Sequence, residues 1–134
     1  MSSGGCLCGA VRYEVSGSLR DVVNCHCSVC RRWHGHHSAY TSTALDGLRF
    51  VEDRGLAWYE STTDDTTGVR RGFCGECGSA LFWHPSGAPA IAIAAGSLDE
   101  PTGLRTIRHI WTSRQGDYYE ISDQLPRHER GSTG

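Results

Sequence analysis

No stretch of this 134-residue sequence stays apolar for the roughly 20 residues that a bilayer-spanning helix needs, so no membrane span is expected. The opening MSSGGCLCG carries neither a charged segment nor an apolar core, so no secretory leader is expected in it. Basic excess is missing too. The formal charge is −2, with no run of lysine or arginine, so the chain offers no electrostatic footprint for a phosphate backbone. Internal repeats, low-complexity tracts and a linker are all absent, and the length suits one domain with one core.

Glycine and cysteine are what the chain does have. Seventeen glycines beside 38% hydrophobic residues suit short strands and tight turns better than a helical bundle. In AVRYEV, Val11, Tyr13 and Val15 alternate with small or polar neighbours, the pattern of a half-buried strand. LRFVED and GLAWYEST, parted by Arg54-Gly55, are expected to be neighbouring strands, and TTDDTTG (62–68) a polar loop. GVRRGFCGECGSALFW is expected to form a strand, a glycine-rich knuckle and a second strand. PAIAIAAGSL suggests a strand covered on both faces, and LRTIRHIW a mainly extended segment. A short helical turn is expected only in CSVCRRWHGHHS, stopped by Gly35. A mainly β domain over 1–126 is the result, followed by a polar, frayed tail over 127–134.

Seven cysteines, an odd number, leave one over in any scheme of disulfides alone. Their grouping favours metal in a reducing, cytoplasmic setting. Cys74 and Cys77 have the C-x2-C spacing of a zinc knuckle, with Gly75 and Gly78 freeing the backbone to turn its amides toward the sulfurs. A knuckle supplies two ligands. Cys6 and Cys8, two apart on a strand, point to one face and can supply the others, closing a structural zinc site. Cys25, Cys27 and Cys30 remain, in the pattern C-x-C-x2-C. Three protein ligands with one position left for substrate is the arrangement of a catalytic zinc.

Two alternatives stand beside this division. The knuckle can instead pair with two sulfurs of the triad, although four plus three uses every cysteine. One of His26, His34, His36 or His37 can close the triad, His26 least readily because a residue between two ligands tends to point away. Arg31 and Arg32, directly after Cys30, are the best candidates to hold a substrate carboxylate, with Arg70 and Arg71 second. For Asp99 and Glu100 in AAGSLDEP a role in the turn is expected rather than acid/base work, and for His109 a place in the core.

The stretches GGCLCGAVRYEV, CHCSVCRR, WYEST, RGFCGECGSALF, AAGSLDEP, HIW and DQLP run in order along nearly the whole chain. In them the sequence resembles the glutathione-dependent formaldehyde-activating enzyme family, also called the centromere protein V domain. The resemblance implies antiparallel sheets in a tent-like fold stapled by two zinc ions, a structural one at Cys6, Cys8, Cys74 and Cys77 and a catalytic one at Cys25, Cys27 and Cys30. It also implies a carbon–sulfur lyase joining a small thiol, glutathione or its like, to an aldehyde such as formaldehyde, as in S-(hydroxymethyl)glutathione synthesis. RRWHGHHSAY departs from the family's small-residue stretch after the triad. The rival readings are a zinc module that carries a thiol without turnover and an interaction domain.

Overall fold

In the computed structural model, residues 1–62 and 68–131 are described. Ten strands run in chain order: β1 (Ser2–Gly5), β2 (Arg12–Val15), β3 (Val22–Cys25), β4 (Ser38–Ala44), β5 (Leu48–Glu52), β6 (Leu56–Ser61), β7 (Val69–Cys74), β8 (Ala80–Pro85), β9 (Ala90–Ala94) and β10 (Thr106–Ile110). Among the described residues a single α-helix, α1 (Ser28–His34), interrupts them, together with three short 3-10 turns. The fold is mainly β, as expected. Most of the polar loop expected at 62–68 lies outside the described residues.

The strands form two sheets, one of three in the order β1-β2-β5 and one of seven in the order β10-β3-β4-β9-β8-β7-β6. All pairs are antiparallel except β10 with β3. The alternation expected of AVRYEV holds: Val11, Tyr13 and Val15 are buried and face Leu81, Phe82, Ile91 and Ile93 of the large sheet. Phe82 is the hub of this core. Tyr13 and Phe50 meet its ring edge-on, at centroid distances of 5.4 and 5.6 Å, and Trp58 stacks at 6.0 Å. These ring pairs add to what the buried apolar area contributes. In β9 only Ile91 and Ile93 are buried, while Ala90 is exposed, so the cover on its second face is incomplete.

Two expectations change. β5 and β6 follow one another in sequence but do not pair: β5 joins β2 in the small sheet and β6 joins β7 in the large one. The Arg54-Gly55 turn carries the chain from one sheet to the other. At Gly55 a Cβ would lie 2.7 Å from the Ala10 Cβ and 2.9 Å from the Cys74 sulfur, so only glycine fits this crossing. The tail is also held rather than frayed as far as Arg130. The amides of His109, Trp111 and Thr112 donate to the carbonyls of Pro126, Arg130 and His128, and the amide of His128 donates to the carbonyl of His109. A polar composition did not show that these residues continue the pairing beside β10.

Candidate functional site

Cysteine sulfurs gather at two places. Those of Cys6, Cys8, Cys74 and Cys77 all lie within 4.8 Å of one another, and so do those of Cys25, Cys27 and Cys30. The four-plus-three division is therefore the one the fold makes, and the alternative pairing of the knuckle with the triad is not.

The first cluster joins the two sheets. Cys6 and Cys8 sit in the loop between β1 and β2 of the small sheet, while Cys74 ends β7 of the large sheet and Cys77 follows it in the knuckle. Sulfur pairs Cys6–Cys8 and Cys8–Cys74 are each 3.8 Å apart. A tetrahedron with zinc–sulfur bonds of about 2.3 Å has edges of about 3.8 Å, so this donor set fits a four-thiolate metal. Backbone amides support it: Val11 donates to the Cys6 sulfur at 3.2 Å and Cys77 to the Cys74 sulfur at 3.4 Å. Ser79 does more. Its oxygen accepts from the Leu7 amide at 3.1 Å and lies 3.2 Å from the Cys77 sulfur, so its proton is free to point at that sulfur. That bond is the main reason the Cys77 thiol is pulled down to about 5. Spacing pointed to the glycines of the knuckle, but nothing in the sequence pointed to Ser79.

The second cluster is local. Cys25 ends β3, Cys27 caps α1 with its sulfur accepting from the Cys30 amide at 3.3 Å, and Cys30 lies in the first turn. Gly35 stops the helix as expected, in the left-handed conformation at φ 82°. Hydrogen bonds from the Cys25 and Cys30 thiols, then from backbone amides, hold the Cys27 thiol far below its ordinary value. Cys25 moves the opposite way, because its thiol hydrogen-bonds to the Cys27 sulfur and then to that of Cys30 and so keeps its proton. Three soft donors gathered in this way fit a metal ion. No histidine is among them.

The histidines serve elsewhere. His34 Nε2 bonds the Tyr40 hydroxyl at 2.8 Å, His36 Nδ1 bonds that of Tyr118 at 2.8 Å, and His37 Nδ1 lies 3.1 Å from the Ser38 carbonyl. His26 is 1% exposed, and its Nδ1 lies 2.6 Å from the Tyr119 hydroxyl. Its Nε2 lies 2.8 Å from Nδ1 of His109, whose Nε2 lies 2.9 Å from the Asp123 carboxylate. Burial first, then neighbouring histidines, pulls His26 down to about 4, so it is neutral near pH 7. His109 is buried, as expected, but within this polar chain rather than as filler between Ile107 and Trp111.

Tyr118 and Tyr119 lie on an irregular segment and meet the His36 ring, Tyr118 tilted at 5.5 Å and Tyr119 edge-on at 4.6 Å. Burial pushes the Tyr119 hydroxyl up, and a hydrogen bond at Gly116 and the charge of Arg31 oppose it. Arg31 is half-buried, and its Nε has no hydrogen-bond partner among the described residues, whereas Arg32 is exposed. Arg71 is buried 5.9 Å from the Trp33 ring, and its charge acts on His34 and Tyr40. Arg70 points the other way, over Trp58 at 4.1 Å. Asp99 forms an ion pair with Arg12 at 2.6 Å, tying the small sheet to the turn after β9. Of the residues around the triad, Tyr40, Tyr118 and Tyr119 carried no sequence signal that set them apart, and Asp123 was marked only as the start of DQLP.

The chain as a whole is similar to known proteins. A candidate glutathione-dependent formaldehyde-activating enzyme of Halomonas elongata is 28% identical over 127 residues, which cover 90% of this chain and 81% of that protein. A crystal structure of a Rhodobacter sphaeroides protein superimposes with a TM-score of 0.61 at 26% identity, covering 78% of this chain and 97% of that one. The model of the glutathione-dependent formaldehyde-activating enzyme family matches residues 1–114, and the chain belongs to that family.

Proposed function

We propose that the protein is a zinc-dependent carbon–sulfur lyase, forming or breaking the bond between a small thiol such as glutathione and a small aldehyde such as formaldehyde. The observation that carries this reading is the inequality of the two sulfur clusters. Four thiols make a closed set between the sheets, while three sit beside arginine, histidine and tyrosine side chains able to bind an anion and move protons. In this reading Cys6, Cys8, Cys74 and Cys77 hold a structural zinc, and Cys25, Cys27 and Cys30 a catalytic one. Zinc bound by the triad supplies a site where an incoming thiol is held as thiolate near neutral pH.

The chain's own residues do the rest. Arg31, half-buried with its Nε unpaired among the described residues, receives a carboxylate of the thiol, and exposed Arg32 extends that cationic edge outward. Tyr119, half-buried and held by His26, helps to shield the triad side from water, while Tyr118, exposed and held by His36, marks its rim. The grouping of seven free thiols suits a cytoplasmic compartment.

Metal analysis with exchange spectroscopy tests the proposal. Two zinc ions per chain are expected. Cys27→Ser should lose one and stay folded, whereas Cys74→Ser should unfold. The protein should speed NMR exchange between free glutathione and its formaldehyde hemithioacetal, and Cys27→Ser should not. Equal unfolding of both variants makes the triad structural and defeats the enzyme reading. Clear glutathione binding with an unchanged exchange rate identifies a carrier instead.

A further inference from the structure

We infer that Ser38 is a positioning residue of the triad: in the metal-loaded protein its hydroxyl donates to the Cys30 sulfur rather than to the Cys25 carbonyl, and so steadies the negative charge that an incoming thiol adds. This deepens the proposed function and rests on it.

Strand pairing brings Ser38 to the triad. In the antiparallel pair of β3 and β4, Ser38 stands directly opposite Cys25, so the two side chains project from one face of the sheet. The Cys30 sulfur lies within 4.8 Å of the Cys25 sulfur, which places it over that same face. Ser38 is 1% exposed and Cys30 6%, so water competes little for the hydroxyl. The Ser38 oxygen lies 3.5 Å from the Cys25 carbonyl oxygen, at the long limit of a hydrogen bond. The Cys30 sulfur is a second acceptor within reach of the same proton.

A serine hydroxyl has one proton to give. The Cys25 carbonyl offers it a long, neutral bond. A sulfur that ligates a metal is a thiolate, and a buried thiolate offers a charge-assisted bond, roughly twice as strong. The sulfur therefore wins. Rotation about the Cβ–Oγ bond is the whole adjustment, with no proton leaving Ser38 and no covalent bond made or broken. Ser79 stands in the same relation to Cys77 at 3.2 Å, where its oxygen also accepts from the Leu7 amide. Each sulfur cluster thus has a serine behind one of its members. At the triad the consequence differs, because a thiolate arriving there adds one negative charge beside the three already gathered. The Ser38 bond strengthens as that charge grows, and it favours thiol binding without touching the thiol.

Full-length protein serves for both parts of the test, loaded with cadmium-113 for NMR and with zinc for kinetics. In wild-type cadmium protein, a proton–cadmium correlation should join the triad signal to the Ser38 hydroxyl proton. Ser38→Ala should remove that correlation and shift the triad signal while the four-sulfur signal stays in place, which also shows that the variant is folded. Its triad should lose roughly 10- to 100-fold in zinc affinity. At saturating zinc, Ser38→Ala should raise KM for glutathione about 10-fold and keep kcat within about threefold. Ser38→Thr, which keeps the hydroxyl, should recover most of each loss. A triad signal with no coupling to Ser38, or Ser38→Ala with KM for glutathione within about twofold of wild type, overturns the role of Ser38 while the lyase reading stands. Wild-type protein that leaves the exchange between glutathione and its hemithioacetal unchanged overturns the lyase reading itself, and the part of Ser38 in that reaction falls with it.

Discussion

At the scale of single residues, close approach and one hydroxyl decide how the four-sulfur cluster behaves. Gly55 leaves no room for a methyl group against the Cys74 sulfur and the Ala10 Cβ. Gly55→Ala should cost about 1–3 kcal/mol of stability in denaturant titrations and weaken metal retention against a chelator. Ser79 links the Leu7 amide to the Cys77 sulfur, and its loss should lower metal affinity at this cluster by roughly 10- to 100-fold. The pH dependence has a definite sign. The Ser79 bond depresses the Cys77 thiol, so removing it raises that pKa and lets protons compete with metal at higher pH. Acidification of Ser79→Ala should therefore release metal at a higher pH than in wild type, as followed by a colorimetric zinc indicator. Tyr13 gives a milder case: its buried hydroxyl bonds Ser97 Oγ at 2.6 Å, and Tyr13→Phe should cost about 1 kcal/mol.

At the scale of elements, the last segment behaves as an extra strip of sheet. Carbonyls of Pro126, His128, Glu129 and Arg130 take the amides of His109, Thr112, Ser113 and Trp111. Removing residues 127–134 should cost on the order of 2 kcal/mol and speed hydrogen exchange at Trp111 and Thr112. Unchanged protection there would mean that the segment does not hold this edge. Much of the element order is legible in the sequence. Period-two alternation marked β2, the knuckle with its flanks marked β7 and β8, and Gly35 marked the end of α1. What was not legible was sheet membership. β5 and β6 are joined by a turn, and nothing in their local pattern says that they part into different sheets.

For the whole molecule, the four-sulfur cluster joins the two sheets alongside the core around Phe82, and the metal proposed for it would clasp them. Stripping metal with a strong chelator should lower Tm by more than about 10 °C and broaden the transition, because the unfolded chain preforms no such site. Adding zinc back should restore both. If apo and metal-loaded protein melt alike, the hydrophobic core alone holds the sheets together and the clasp is dispensable.

The sequence by itself determined the two groups of cysteine sulfurs and the β character of the chain. The spacing of Cys25, Cys27 and Cys30 and of Cys74 and Cys77 acts over a few residues, where backbone geometry leaves few choices. Only the tertiary structure decided what surrounds those sulfurs. His26 meets Tyr119 and His109 across separations of 93 and 83 residues, Arg71 turns inward where Arg70 turns out, and Asp123 closes the line from an aperiodic segment. Such contacts depend on how strands order within a sheet and how sheets pack, which no local pattern of residues encodes.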